Sequence, residues 1–211
     1  MILHGTHWSP ALTRFNLHHF SIAGLTDINL QIDSPQCISI TGPSGSGKTR
    51  LLRALADLEP GSGEMRLDNT PSGLFTGPAW RKQVALLTTE NFWWHDTFGA
   101  HFHQAPEPEL LARLNLGTQI LQSQVHLGSS GERQRLALLR LLQNQPKVLL
   151  LDEPTANLDR ENKTLVEQLI LDYLRRYNAC ALWTSHDEHQ IKRIASRHFR
   201  ITDNSLLATD A

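Results

Sequence analysis

"CISITGPSGSGKT", Cys37 to Thr49, runs from a short apolar, β-branched segment straight into a glycine-rich stretch. The apolar run stops at Gly42, as a central parallel strand would, and after Lys48 the residues Leu51, Leu52, Leu55 and Leu58 share one helical face. "GPSGSGKT" therefore fits G-x-x-x-x-G-K-[ST] in the context the motif requires, between a buried strand and a helix. Gly42, Gly45 and Gly47 allow backbone N–H groups to turn inward around phosphates, with Pro43, Ser44 and Ser46 completing the loop. The following helix, opened by Lys48, Thr49 and Arg50, adds the partial positive charge of its N-terminus. Lys48 is expected to reach the β and γ phosphates, and Thr49 to place a hydroxyl on Mg²⁺.

Two further buried-strand signatures follow, "VLLLD" at Val148 to Asp152 and "ACALWTS" at Ala179 to Ser185. Between them Leu165, Leu169 and Tyr173 recur at helical spacing, so strands alternate with helices and a mainly parallel α/β sheet is expected. "DINLQI" at Asp27 to Ile32 and "FRITDNSLL" at Phe199 to Leu207 alternate in short stretches with turn signals, which predicts antiparallel strands at the two ends. The segment from about 95 to 126 has weak leucine periodicity interrupted by Pro106 and Pro108 and reads as a small helical insertion. With the leucine-rich helix after it, a helical subdomain over about 95–145 is expected within one domain spanning 1–211.

Asp152 and Glu153 stand together at the end of a buried strand, where α/β proteins present catalytic groups. Asp152 is suited to hold Mg²⁺ through its water shell, and Glu153 to orient or deprotonate a water attacking the γ phosphate. His186 ends the next strand in the corresponding position, from which an imidazole can sense the γ phosphate. Asp159 is placed to cap the helix from Arg160. "GSSGERQR", Gly128 to Arg135, is a second glycine- and serine-rich loop that runs into a helix.

With 20 basic against 21 acidic residues in 211 and no long run of one sign, nothing suggests an electrostatic grip on nucleic acid. Cys37 and Cys180 lie in apolar runs and read as buried thiols rather than a disulfide framework. "MILHGTHWSP" lacks the apolar core of a signal peptide, and no stretch approaches the roughly 20 apolar residues that span a bilayer. A cytosolic chain that meets a membrane only through a partner is the expectation.

The four segments "GPSGSGKT", "GSSGERQR", "VLLLDEPTANLD" and "TSHD", in this order, closely resemble the nucleotide-binding subunits of ABC transporters, over nearly the whole chain. The resemblance implies an ATP-hydrolysing, Mg²⁺-dependent subunit on the cytoplasmic face of the inner membrane that powers a separate transmembrane permease. It implies a head-to-tail homodimer in which each signature closes over the ATP of the other copy. Gly42 to Thr49 then correspond to the phosphate loop, Asp152 and Glu153 to the metal-linked aspartate and catalytic glutamate, and His186 to the switch histidine. Ala156 to Asp159 correspond to the loop crossing the dimer interface, and Ser129, Ser130, Gly131 and Glu132 to the signature. The stretch through "ERQRLALLRLL" and "KVLLLDE" is also similar to small bacterial ABC ATPases assigned to iron or metal export.

The chain departs from the family at two places. The usual signature is Leu-Ser-Gly-Gly-Gln or -Glu, whereas Gly128 and Ser130 replace its leucine and first glycine; a side chain at 130 is expected to limit φ and crowd the phosphate, while its hydroxyl is able to donate a hydrogen bond there. After "VALLTTE" the family's metal-touching glutamine is replaced by Thr89, shorter by two bonds, which predicts water-mediated contact with Mg²⁺ and slow hydrolysis. A degenerate subunit that binds ATP and dimerises with little hydrolysis is the alternative these changes favour, and Glu153 and His186 oppose it; a non-transport ABC ATPase is a further alternative, weighed against by the lack of tandem ATPase units or long coiled-coil insertions. The resemblance also calls for an aromatic platform for adenine upstream of the phosphate loop, with Phe20 and His19 as candidates. In "ENFWWHDTF", Glu90 to Phe98, adjacent tryptophans cannot both face a core, so Trp93 or Trp94 is expected at the surface as an anchor for the permease.

Overall fold

A computed structural model describes residues 12–209, so the N-terminal stretch Met1–Pro10 lies outside the described residues. In chain order the elements are β1 (Arg14–Ile22), β2 (Leu25–Asp33), β3 (Cys37–Thr41), α1 (Lys48–Leu55), β4 (Ser62–Leu67), β5 (Thr70–Pro71), α2 (Gly77–Gln83) and β6 (Val84–Leu87). They continue with α3 (Pro108–Ala112), α4 (Ser130–Leu142), β7 (Val148–Asp152), α5 (Arg160–Tyr177), β8 (Cys180–Thr184), α6 (Glu188–Ile194), β9 (Arg197–Thr202) and β10 (Ser205–Thr209).

Two sheets form. An antiparallel sheet has the order β2-β1-β4-β5, and a second sheet has the order β10-β9-β3-β8-β7-β6, parallel throughout except for its edge strand β10. Side chains on β3, β7 and β8 alternate between the two faces of the parallel sheet, both of which are buried, and this explains why their sequences read as unbroken apolar runs. Ile38, Ile40, Val148, Leu150, Cys180 and Leu182 pack with α1 and the antiparallel sheet. Leu149, Leu151, Ala181 and Trp183 pack on the other side with α4 and α5.

The terminal stretch expected to be antiparallel is only partly so. β9 and β10 form a hairpin around Asp203 and Asn204, both with positive φ, yet β9 also joins β3 in parallel and so extends the main sheet. Helix α1 ends at Leu55, one turn before Leu58, which is 47 % exposed. Trp80 Nε1 donates to the Leu55 carbonyl at 2.8 Å and satisfies one of the acceptors left at that helix end. Between β6 and α4 the chain forms 3₁₀ turns at Gly99–His101, Thr118–Gln122 and Val125–Leu127 around the short α3, which is why its leucine period was weak. Phe98, Leu111, Leu114 and Leu116 from this segment share one apolar cluster with α4, β7 and α5. No helix of the described residues is long and apolar enough to cross a membrane.

Candidate active site

The phosphate loop links β3 to α1. Gly42, Gly45 and Gly47 all take positive φ, at 155°, 78° and 101°, the left-handed conformations that the glycines of the motif permit. Lys48 is buried, and its Nζ donates to the carbonyls of Gly42 at 2.8 Å and Pro43 at 3.1 Å, so the ammonium is held over the mouth of the loop. Burial lowers the Lys48 pKa, while Glu153 and Asp152 nearby oppose that shift. The Ser46 hydroxyl is buried inside the loop with no protein partner, as expected of a group reserved for a ligand oxygen.

Asp152 closes β7 and is the hub of the site. Its Oδ2 accepts from the Thr49 hydroxyl at 2.8 Å and its Oδ1 from the Thr184 hydroxyl at 2.9 Å. The pairing of a helix-start hydroxyl with a strand-end carboxylate fits the oxygen donors that Mg²⁺ prefers. Glu153 has φ +47°, an uncommon conformation for a residue with a side chain, and its N–H donates to Thr184 Oγ1 at 3.0 Å. That bend turns the carboxylate toward His186, whose Nε2 lies 3.1 Å from Glu153 Oε1. Thr89 sits beside them, its hydroxyl donating to the Asp152 carbonyl at 3.2 Å.

Behind His186 lies a buried polar network that the sequence did not announce. Gln190 Nε2 donates to Thr155 Oγ1 and Glu167 Oε1, both at 2.8 Å, while its Oε1 accepts from Ser185 at 2.7 Å. Arg193 pairs with Glu167 at 2.9 Å. The network ties the loop after Glu153 to the loop carrying His186.

The signature is a helix N-terminus. Ser129 caps α4 by accepting from the Glu132 N–H at 3.2 Å, and Glu132 Oε2 accepts in return from the Ser129 N–H at 2.8 Å, a complete capping box. Ser130 is the exposed first residue of α4 and is not among the residues with positive φ, so the expected backbone strain does not arise. Gly128 has a local cause: a Cβ there would lie 2.6 Å from Phe98 Cζ. Gly131 approaches the Asn157 carbonyl and Leu158, and Asp159 caps α5 by accepting from the Asn162 N–H at 2.9 Å.

Two expected nucleotide contacts, Phe20 and the Arg50 side chain, need correction, whereas a surface tryptophan and buried free cysteines are found as expected. Phe20 is 2 % exposed, packed so closely on Gly61 that a Cβ there would overlap its ring, and it has no open face for a base. His19, beside it, is exposed and bonds Asp27 through Nδ1 at 2.5 Å. The Arg50 side chain turns from the phosphate loop to the Ala23 carbonyl at 3.1 Å and to Glu59 at 3.6 Å. Trp94 and Phe92 are 67 % and 79 % exposed, whereas Trp93 is half-buried edge-on to Phe98. Among the described residues no cluster of His, Cys, Asp and Glu has the geometry of a metal site, and both cysteines are free, with burial raising their pKa values.

The sequence model of the family described as "ABC transporter" matches residues 25–156. The chain belongs to the ABC transporter family. This ABC domain is 35 % identical over 179 residues to the probable iron export ATP-binding protein FetA of Escherichia coli K12, a match covering 79 % of this chain and 80 % of that one. It is 34 % identical over 188 residues to the aliphatic sulfonates import ATP-binding protein SsuB 2 of Pseudomonas syringae pv. syringae, covering 85 % of this chain and 64 % of the relative. The fold matches a bacterial Atm1-family ABC exporter with ATP bound at a TM-score of 0.77 and 18 % identity, over 92 % of this chain and 38 % of the exporter chain. The ABC domain is thus an ATP-binding ATPase unit of the kind that powers transport.

Proposed function

We propose that this ABC ATPase works as a head-to-tail homodimer that drives a separate transmembrane permease from the cytoplasmic face of the cell membrane. ATP sits on Gly42–Thr49 of one copy, and Ser129, Ser130, Gly131 and the N-terminus of α4 of the other close over its γ phosphate. Mg²⁺, held through Thr49 and Asp152, would neutralise phosphate charge when bound. Glu153 orients and deprotonates the attacking water, and His186 holds the Glu153 carboxylate on that line while reading the γ phosphate. Lys48 replaces its two carbonyl contacts by phosphate oxygens, and His19 offers the base an exposed ring. Residues 95–145 act as the helical subdomain, whose groove, with Trp94 and Phe92 at its edge, receives the permease. The 80 % coverage of an iron export relative supports metal export as the transport class.

The observation that carries the reading is the Glu153–His186 contact of 3.1 Å beside the Lys48–Thr49–Asp152 constellation, an arrangement a merely ATP-binding subunit has no need to keep. Single-turnover hydrolysis of radiolabelled ATP tests it, with Glu153→Gln as control. A burst in the wild type that falls at least about 100-fold in the variant supports it, and equal slow rates in both would return the chain to the degenerate alternative.

A further inference from the structure

Outside the nucleotide site, His101 is a buried ionisable group with both ring nitrogens engaged. It is 6 % exposed, at the end of the turn Gly99–His101, and faces the back of the loop Asn91–Phe98. Its Nε2 accepts hydrogen bonds from the backbone N–H groups of both Trp94 and His95, each at 2.9 Å. Its Nδ1 lies 3.0 Å from the Thr97 carbonyl oxygen, which can only accept. One species satisfies all three contacts, the neutral imidazole with its proton on Nδ1. A proton on Nε2 would set three donors against one another in a buried space.

The surroundings offer such a proton no compensation. Arg140 of α4 lies over the Trp93 and Trp94 rings at 4.3 and 4.9 Å and donates to the Phe92 carbonyl at 2.9 Å. The His95 ring is 5.0 Å away, Arg81 of α2 and His103 line the same groove of about 330 Å³, and no carboxylate lines it. Burial first, then Arg140 and His95, hold the His101 pKa below the ordinary imidazole value, against the opposing backbone bonds to Thr97 and Phe98. The loop that His101 fixes also reaches the ATPase site. Asn91 Nδ2 donates to Gln134 Oε1 at 2.5 Å, and Gln134 Nε2 donates to the carbonyl of Pro154, the residue after Glu153, at 3.2 Å.

We propose that neutral His101 is the positioning residue of the Asn91–Phe98 loop, and that its protonation releases the loop and, through Asn91, Gln134 and Pro154, slows the ATPase site. The device is an acid-sensitive latch between the aromatic groove and the catalytic glutamate. Its effect on hydrolysis rests on the ATPase reading, whereas release of the loop does not. The two are therefore measured separately on the full chain.

Amide exchange at Trp94 and His95, corrected for the intrinsic pH dependence, reads the latch. Protection is expected to fall roughly tenfold or more between pH 7.5 and 5, while amides of β8 stay protected. His101→Gln, whose side chain can accept at its oxygen and donate at its nitrogen without titrating, is expected to keep the loop protected at both pH values and to remove the matching acid limb from the ATPase profile. His101→Leu is expected to leave the loop unprotected at both. If His101→Leu does not fold, the wild type and His101→Gln decide alone. Protection of Trp94 and His95 that is flat with pH in the wild type, or a His101→Gln variant that keeps the wild-type acid transition, overturns the proposal. Loop release without any change in hydrolysis removes the Asn91–Gln134–Pro154 link from it.

Discussion

Replacing Gly128 by alanine adds one methyl group where the Phe98 ring already stands. The new Cβ would lie 2.6 Å from Cζ and 2.9 Å from Cε2, about 1 Å inside the carbon–carbon optimum. Phe98 is fully buried and braced edge-on by Trp93 at 4.9 Å, so the ring cannot swing away freely. Overpacking of this kind costs about 1–3 kcal/mol. Gly128 itself has φ −69° and ψ 141°, which alanine adopts without strain. With the ring removed by Phe98→Ala, the same change should therefore stabilise by about 0.4–1 kcal/mol through the unfolded chain. Phe98→Ala alone is expected to cost about 3–5 kcal/mol. The coupling in a double-mutant cycle, read from urea unfolding at constant m, should be about 1.5–4 kcal/mol, and Gly128→Ala should change sign between backgrounds. Equal effects in both backgrounds would refute the explanation of glycine at the head of the signature.

Thr89→Gln should raise steady-state ATPase several-fold, because the longer amide reaches the metal directly where the threonine hydroxyl is turned to the Asp152 carbonyl; an unchanged or lower rate in a phosphate-release assay counts against that reading. Hydrogen bonds from the Ser129 N–H and hydroxyl hold the Glu132 pKa below its usual value. A lowered carboxylate stabilises the fold above the unfolded pKa and loses that contribution as pH falls through the folded one. Glu132→Gln, which keeps an acceptor for the capping box, should thus flatten the acid side of the melting-temperature profile, and a profile parallel to the wild type would contradict it.

The phosphate loop, Asp152, Glu153 and His186 were legible because each sits at a strand end or in a glycine pattern whose chemistry is local in sequence. What the sequence hid is side-chain competition between distant segments. Phe20 looked available for adenine, yet a break in the β1 register at His18 and His19, where His19 takes φ +47°, turns it into the core with Phe15, Leu17 and Ile22. Ser130 looked strained because glycine is usual there, but as the first residue of α4 it needs only an ordinary helical φ. Gln190, Glu167 and Gln134 carried no pattern at all, since the bonds from Gln190 to Thr155 and Glu167 and from Gln134 to Pro154 join residues 20 or more apart. Parallel pairing of β9 with β3 was equally invisible in a stretch whose turn signal pointed only to a hairpin.

The central claim is that each chain supplies half of two ATP sites. Lys48→Ala removes the phosphate lysine, and Ser130→Asp places a carboxylate on the exposed first residue of α4, opposite the partner's γ phosphate. Each variant alone should be inactive. Mixed in equal amounts, random pairing makes half the dimers mixed, each with one intact site, so hydrolysis should recover to roughly a quarter of the wild-type rate. A mixture as inactive as its two components, under conditions where the wild type turns over, would contradict the account.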